Sequence, residues 1–350
     1  MNPTRNHQIV LASRPTGEPG SENFELRSGP IPEIGNHEIL CRTIYLSLDP
    51  YMRGRMSDAK SYAAPAAIGE AMPGGTVSEV LASNVDGFSA GDIVVGYGGW
   101  QDYSVSSKGA GLRKLDPALA PISTAVGILG MPGMTAYTGL LNIGQPQAGE
   151  TVVVAAAAGP VGSMVGQLAK LKGCRAVGIA GSAEKCRYVV DELGFDACLS
   201  HRQENLAAPL QEACPDGIDI YYENVGGKVL ETVIGLLNPF SRIPVCGLVS
   251  QYNMTELPAG PNLLPVLMRA VLTNRISIRG FIVWDFADQE HTFLKEVSGW
   301  LKSGKLRYRE DRVTGLENAP EAFMGLLKGK NFGKLVVQVG EDPTTDAGRF

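Results

Sequence analysis

Residues 151–202, TVVVAAAAGPVGSMVGQLAKLKGCRAVGIAGSAEKCRYVVDELGFDACLSHR, restrict the fold of this chain more than any other stretch. They open with an apolar run over 151–158, too short for a membrane span and rich in β-branched residues, which predicts a buried strand. The run ends in Gly159-Pro160-Val161-Gly162. Beyond it Val161, Val165 and Leu168 share one helical face, Lys170 and Lys172 lie off it, and Gly173 marks the stop. A second apolar run over 175–180 gives the next strand. Strand, glycine turn, helix and strand form a βαβ unit, and its glycines sit where a pyrophosphate rests on a helix N-terminus.

The glycine pattern is incomplete, because Ala156 stands where the first glycine usually makes the tight turn. Small residues at a strand–helix junction can be there for packing alone. Their place after a strand and before a helix favours the dinucleotide reading, with Gly159, Pro160, Val161 and Gly162 as the pyrophosphate site. The end of the second strand says which dinucleotide. NAD sites place an acid there for the ribose hydroxyls. This chain has Gly181-Ser182, with Lys185 and Arg187 close behind. A carboxylate would repel a 2′-phosphate, whereas a hydroxyl and cations hold one, so the expected cofactor is NADPH. Ser182 also reads as a helix N-cap, and the two roles are compatible.

The rest of the chain divides by pattern. Up to about residue 120, short strand candidates at 7–12, 24–27, 38–48, 74–83, 92–97 and 101–106 alternate with Gly, Pro, Asn and Asp signals. Helices are expected at 123–129 and 135–143, separated by Met131-Pro132-Gly133. After the βαβ unit come a helix from Ser182, strands at 219–223, 242–249 and 276–283, and helices at 228–237, 262–273 and 288–302. Such alternation implies α/β architecture with a doubly wound parallel sheet. A strand near 306–312, a helix over 317–328 and a strand at 333–339 fall outside the alternation, and 341–350 reads as frayed. The expected division is a β-rich substrate domain over 1–128, a nucleotide domain over 129–309, and a segment at 310–350 returning to the first. A cleft between the domains is the expected ligand site.

Bulk properties exclude several classes. A net charge of −5 without a basic run argues against nucleic acid. No apolar stretch is long enough to span a bilayer, and the N-terminus lacks a signal-peptide layout. Six cysteines without a CxxC pair read as free thiols in a reducing cytoplasm. Four histidines, none at ligand spacing to cysteine, leave no metal site, structural or catalytic. No G-x-S-x-G elbow supplies a serine nucleophile. What remains is hydride chemistry carried by the cofactor, with polar groups at the C-terminal ends of the parallel strands. Those are Asn224, the run Cys246-Gly247-Leu248-Val249-Ser250-Gln251-Tyr252, and Phe281-Ile282-Val283. Tyr252 is the candidate acid, a phenol able to donate to a developing enolate oxygen. Position alone fits a loop tyrosine packed on Pro258 equally well. In the first domain, 45–56 is dense in polar tips, and Arg53 and Arg55 read as structural partners of Asp49 or Asp58.

The segments SLDPYMRGRMS (47–57), ILGMPG (128–133), AAAAGPVG (155–162), GSAEKC (181–186), YYENVGGK (221–228), PVCGLVSQYN (244–253) and GKNFGKLV (329–336) together resemble the zinc-independent medium-chain reductases, and within them the prostaglandin/leukotriene reductase group. The likeness runs over roughly 8–340. It implies a GroES-like β-rich domain followed by a Rossmann domain, and NADPH-dependent reduction of the carbon–carbon double bond of α,β-unsaturated ketones and aldehydes, including curcumin-type enones and alkenals. By the same resemblance Lys185 holds the 2′-phosphate. Asn224, 246–252, 281–283 and Asn331 line the cofactor, Tyr252 also faces the substrate carbonyl, and Tyr51 lines the substrate cleft. His201 stands where mammalian members carry tyrosine near the 2′-phosphate, which predicts pH-dependent NADPH affinity. A quinone reductase and a non-catalytic NADPH-binding protein are the alternatives. The late strand at 276–283 reads as a sheet edge, and edge pairing together with the resemblance predicts a homodimer.

Overall fold

The structure is a computed structural model that describes residues 4–345. These fall into two compact units, one of residues 4–127 with 310–345, the other of residues 128–309.

In the first unit β1 (Asn6–Leu11) and β2 (Phe24–Gly29) form an antiparallel pair. The long strand β3 (Glu38–Ser47) is the spine of a second sheet, followed by the single helical turn α1 (Met52–Arg55) and by β4 (Thr76–Ser83), β5 (Ile93–Gly96), β6 (Tyr103–Ser107) and β7 (Arg113–Lys114). The spine pairs with both β4 and β6. This crowding explains why eight of its ten residues are buried. Residues 123–129, expected as a helix, form only a short 3-10 turn at Ile122–Val126.

The second unit begins with α2 (Met131–Thr138), which widens into a π turn over Gly139–Gly144. Met131-Pro132-Gly133 is its first turn and not a break. Proline at the start of a helix costs no hydrogen bond, and a Cβ on Gly133 would stand 1.9 Å from Ile128 O. Then come β8 (Thr151–Ala155), α3 (Pro160–Leu171), β9 (Arg175–Ala180), α4 (Ala183–Asp191), β10 (Ala197–Ser200), α5 (Ala207–Ala213), β11 (Ile218–Tyr222), α6 (Gly227–Ile234), β12 (Leu237–Val245), α7 (Leu264–Asn274), β13 (Ser277–Gly280) and α8 (Glu290–Lys302). Among the described residues the six strands form one parallel sheet in the order β10-β9-β8-β11-β12-β13.

Two expectations are corrected here, and two elements are added. The strand expected at 242–249 begins at Leu237 and absorbs Pro239, because the register jumps from Ile218 opposite Leu237 to Ile220 opposite Arg242. That bulge carries Phe240 at φ 63° and frees the proline from donating to the ladder. The strand expected at 276–283 stops at Gly280, and Val283–Gln289 is a 3-10 turn. Neither β10 nor α5 was anticipated, since Ala-Cys-Leu-Ser has little strand character and α5 is only two turns long.

The chain then rejoins the first unit through β14 (Glu310–Thr314), α9 (Ala319–Leu327) and β15 (Lys334–Gln338). The sheet order becomes β14-β15-β3-β4-β5-β7, with β6 also on β3. Phe323 of α9 meets Phe24 and Trp100 edge-on, at 6.3 and 5.6 Å, while those two rings stack at 5.8 Å. On β15, Lys334 buries its ammonium against Asp49 Oδ1 at 2.8 Å and donates to Leu48 O at 2.7 Å. Residues 341–345 are anchored where fraying was expected, since the buried Tyr45 hydroxyl donates to Asp342 Oδ2 at 2.9 Å. Residues 346–350 lie outside the described residues.

Candidate active site

The C-terminal edge of the parallel sheet collects the predicted residues of the second unit. At the end of β8, Ala156 takes the left-handed conformation itself, at φ 55°, and this cuts the strand expected to reach 158 at Ala155. That strained alanine makes the tight turn usually given to glycine. Gly162 must be glycine, because a Cβ there would lie 2.4 Å from Ala156 O. Gly159 is the N-cap of α3 and Pro160 follows at the first turn, with no side chain capping the helix and no acid in its first turn. A bare helix start with Val161 and Gly162 in its first turn fits a dinucleotide pyrophosphate.

One step along the sheet, Ser182 caps α4, its Oγ accepting from Lys185 N at 3.2 Å. The capping role expected for Ser182 is therefore occupied, and a hydroxyl hydrogen remains to be donated outward. His201 follows β10, its backbone N–H on Ala180 O at 3.0 Å. Its ring backs onto Gly181, where a Cβ would be 3.5 Å from Nε2. Desolvation of the ring, then the cations of Arg202 and Lys185, hold its pKa below its ordinary value. Ser182, Lys185, His201 and Arg202 thus converge on the ends of β9 and β10. Arg202 escaped the sequence reading, although its adjacency to His201 was a visible signal. Arg187, grouped with these cations in sequence, is exposed on α4.

The ends of β11 and β12 form the other half. Asn224 Nδ2 donates to Ala155 O at 2.8 Å, closing the gap to β8. Residues 246–252 leave β12 and turn through a 3-10 segment at Val249–Gln251. Ser250 Oγ donates to Val225 O at 2.5 Å. Leu248, Val249 and Gln251 follow the same turn. Tyr252 is half-buried, and its hydroxyl lies 3.2 Å from where a Cβ on Gly247 would be, so glycine there makes room for it. Burial pushes the Cys246 thiol up to about 12, against a hydrogen bond with Tyr222 that lowers it, so Cys246 is no thiolate nucleophile at neutral pH.

Phe281 and Val283 are buried. The Phe281 ring meets Tyr222 edge-on at 6.4 Å and fills the space left by Gly139. Ile282 N donates to Asp285 Oδ2 at 2.9 Å.

Two predicted residues belong to the first unit. Asn331 donates from Nδ2 to Gly333 O at 2.8 Å. Tyr51 precedes α1, and the Arg55 guanidinium sits 5.8 Å from both its ring and that of Tyr62. Burial first, then the Asp49 carboxylate and Tyr97, raise the Tyr51 phenol far above its usual range. Tyr62 and Tyr97, both exposed, complete an aromatic cluster that residue spacing did not suggest. Asp49, offered above as a partner for Arg53 or Arg55, is held by Lys334 and Ser47. Arg53 donates to Gly17 O, Arg55 to Ala64 O, and Asp58 lies 4.0 Å from Arg14. Among the described residues no group of three or more His, Cys, Asp or Glu side chains is placed to hold a metal ion.

Residues 7–115 match the family described as the N-terminal domain of oxidoreductase, and residues 160–299 match the zinc-binding dehydrogenase family. The chain is 58% identical to the NADPH-dependent curcumin reductase of Escherichia coli, over 97% of this chain and 98% of the relative. It is 42% identical to the NADP-dependent 2-alkenal reductase of Nicotiana tabacum, over 96% and 98%. The crystal structure of CurA from Vibrio vulnificus in complex with NADPH superposes with a TM-score of 0.93 at 55% identity, covering 96% of this chain and 100% of that one. Paired with a β-rich unit and a parallel-sheet nucleotide unit, these likenesses place the chain among the zinc-independent medium-chain dehydrogenases/reductases, in the group of the prostaglandin, alkenal and curcumin reductases.

Proposed function

We propose that this protein is an NADPH-dependent reductase of the carbon–carbon double bond of α,β-unsaturated ketones and aldehydes. The observation that carries the reading is the Tyr252 hydroxyl lodged against Gly247 at the C-terminal edge of the parallel strands, in a chain whose relatives are named curcumin and 2-alkenal reductases. Gly159, Val161 and Gly162 receive the pyrophosphate on the start of α3, and Ser182, Lys185, His201 and Arg202 receive the 2′-phosphate. NADPH, when bound, supplies a hydride to the β-carbon of the enone. Tyr252 donates to the carbonyl oxygen, where negative charge develops as the β-carbon gains its hydrogen, and the α-carbon takes its proton from water. Tyr51, Tyr62 and Tyr97 offer an aromatic surface suited to an extended conjugated substrate.

The test compares NADPH oxidation with a simple enone, an aryl-extended enone and a quinone. Preference for the quinone overturns the substrate class. Full enone turnover by Tyr252→Phe, at unchanged NADPH affinity, removes the role given to Tyr252.

Self-association and a cytoplasmic setting belong to the same proposal. In α7, Leu264, Met268 and Leu272 recur every fourth residue and are 59, 56 and 78% exposed, and no residue of that helix is buried. Among the described residues β13 pairs with β12 alone, and it is exposed at all four residues. An uncovered apolar stripe next to a free strand edge supports a homodimer built by edge pairing. Sedimentation at micromolar concentration, with Leu272→Glu as the disrupting variant, tests it. A monomeric wild type rejects it. All six cysteines are free thiols, which supports the cytoplasm. Among the described residues no helix is long and apolar enough to cross a membrane.

A further inference from the structure

Glu223 is the buried group that the scheme above leaves unused. It follows β11 directly, is 1% exposed, and is the only acid in the run Tyr221-Tyr222-Glu223-Asn224-Val225-Gly226-Gly227. Its Oε1 accepts three hydrogen bonds, from Val225 N at 2.6 Å, Gly226 N at 2.8 Å and the Tyr221 hydroxyl at 3.1 Å. Its own backbone oxygen accepts Cys246 N at 2.9 Å and Gly247 N at 3.2 Å. One residue therefore grips both segments at this end of the sheet, the 224–227 turn by its side chain and the 246–252 run by its main chain.

The two segments are also closed on one another. Val249 N donates to Asn224 O at 3.2 Å and Ser250 N to Val225 O at 3.0 Å. Gly226 and Gly227 sit at φ 75° and 56°, conformations glycine adopts at little cost. A Cβ on Gly226 would crowd Leu248 at 3.2 Å and Gln251 at 3.3 Å. The turn is thus held in a shape that chain propensity alone does not impose, and the Tyr252 hydroxyl rests on the Gly247 that Glu223 anchors. The second carboxyl oxygen, Oε2, is buried and has no hydrogen-bond partner. A buried polar atom without a partner costs free energy, so packing economy does not explain an acid at this position.

We infer that Glu223 is a positioning residue. By clamping the 224–227 turn onto the 246–252 run it sets where Tyr252 stands relative to the reacting end of the cofactor. The inference rests on the role given above to Tyr252. The 2′-phosphate group of Ser182, Lys185, His201 and Arg202 lies at the ends of β9 and β10, on the other side of β8 in the sheet, and is independent of the clamp.

The experiment uses Glu223→Ala, Glu223→Gln and Tyr252→Phe in the full chain. The first readout needs no turnover and no cofactor: hydrogen exchange of the Val225 and Gly226 amides in the cofactor-free protein. Glu223→Ala is expected to speed their exchange tenfold or more, with β8 and β9 unchanged. Glu223→Gln keeps an acceptor oxygen for both amides and is expected to stay within threefold of wild type. In the kinetic readout, Glu223→Ala loses tenfold or more in kcat with an enone, the NADPH-to-NADH preference ratio holds, and Glu223→Gln restores most of the rate. A role in stability alone predicts faster exchange and a lower Tm with unchanged kcat per folded molecule, and that result overturns the inference. A changed NADPH-to-NADH ratio overturns it too, by showing that the effect reaches the phosphate end. If Glu223→Ala does not fold, Glu223→Asp, one methylene short of the amides, is expected to give the same pattern at smaller amplitude. Full turnover by Tyr252→Phe overturns the role of Tyr252 and leaves the exchange result standing, so the two failures are distinguishable.

Discussion

Asp49 of the first unit and Glu223 of the second are both buried carboxylates, and the two are treated in opposite ways. In the first unit Asp49 meets a buried ammonium, Lys334, at 2.8 Å, with the Ser47 hydroxyl on its other oxygen. In the second unit backbone amides and a tyrosine hydroxyl hold one oxygen of Glu223, and the other is buried without a hydrogen-bond partner. Burial raises the Glu223 carboxyl above its ordinary value, and the hydrogen bonds from Gly226, Val225 and Tyr221 offset only part of this. A paired charge can be kept ionised inside a protein, whereas an unpaired carboxyl is driven toward its neutral form. Asp49 thus joins distant chain segments as half of an ion pair. Glu223 works chiefly as a hydrogen-bond acceptor over a few residues.

The largest effect that sharpens this contrast is expected from Lys334→Met. Leaving Asp49 buried without its cation should cost about 3–5 kcal/mol, read as a lower urea midpoint for the first unit through Trp100, which is fully buried there. Adding Asp49→Asn should recover most of the loss. Failure to recover would show that shape, not charge, makes position 334 a lysine.

Lys185→Ala comes next. It removes a half-buried cation of α4 and should lower the preference for NADPH over NADH about 10- to 100-fold, or about 1.5–3 kcal/mol, with the enone kcat unchanged when either cofactor saturates. An unchanged ratio would move the 2′-phosphate away from β9.

Glu223→Gln should change stability at neutral pH by less than about 1.5 kcal/mol, and its diagnostic is the pH trend. Because the folded carboxyl is raised above 4.5, its contribution is fully present below that value and declines as pH rises through the folded pKa. The glutamine variant should therefore gain in Tm relative to wild type between pH 5 and 8. A parallel pair of pH curves would mean that Glu223 is not protonated in the fold.

The smallest expected effect is at His201. Its pKa is depressed in the cofactor-free protein, so holding a 2′-phosphate must raise it and take up a proton. NADPH affinity should rise by about threefold or more from pH 8 to 6, and His201→Ala should flatten the curve. A flat wild-type titration removes the role assigned to His201.

The expectation for the phosphate half of the site rests on local signals. Strand periodicity, Gly159 and Gly162, and the lack of an acid after β9 all lie within a few tens of residues. Even the defect in the motif was visible, though not its resolution by a left-handed Ala156. The reacting half was harder. By position Tyr252 fits a loop tyrosine equally well, and it is the fold that brings its hydroxyl to Gly247. Glu223 read as the end of a strand, because nothing in Tyr-Tyr-Glu-Asn shows that its carboxyl turns back onto its own next two amides. The packing of the Phe281 ring on Tyr222 and Gly139 was not legible either, since aromatic character does not tell which face of an edge a ring will fill.

By itself the sequence determined the α/β class, the βαβ unit with its bare helix start, and NADPH as the cofactor, all set by periodicity and charge between near neighbours. Tertiary structure alone decided that Lys334 neutralises Asp49 across 285 residues of chain, that residues 341–345 are pinned through Tyr45, and that Glu223 holds two segments at once. Those pairings depend on burial, which makes a missing partner costly, and burial is a property of the folded chain that a linear pattern does not contain.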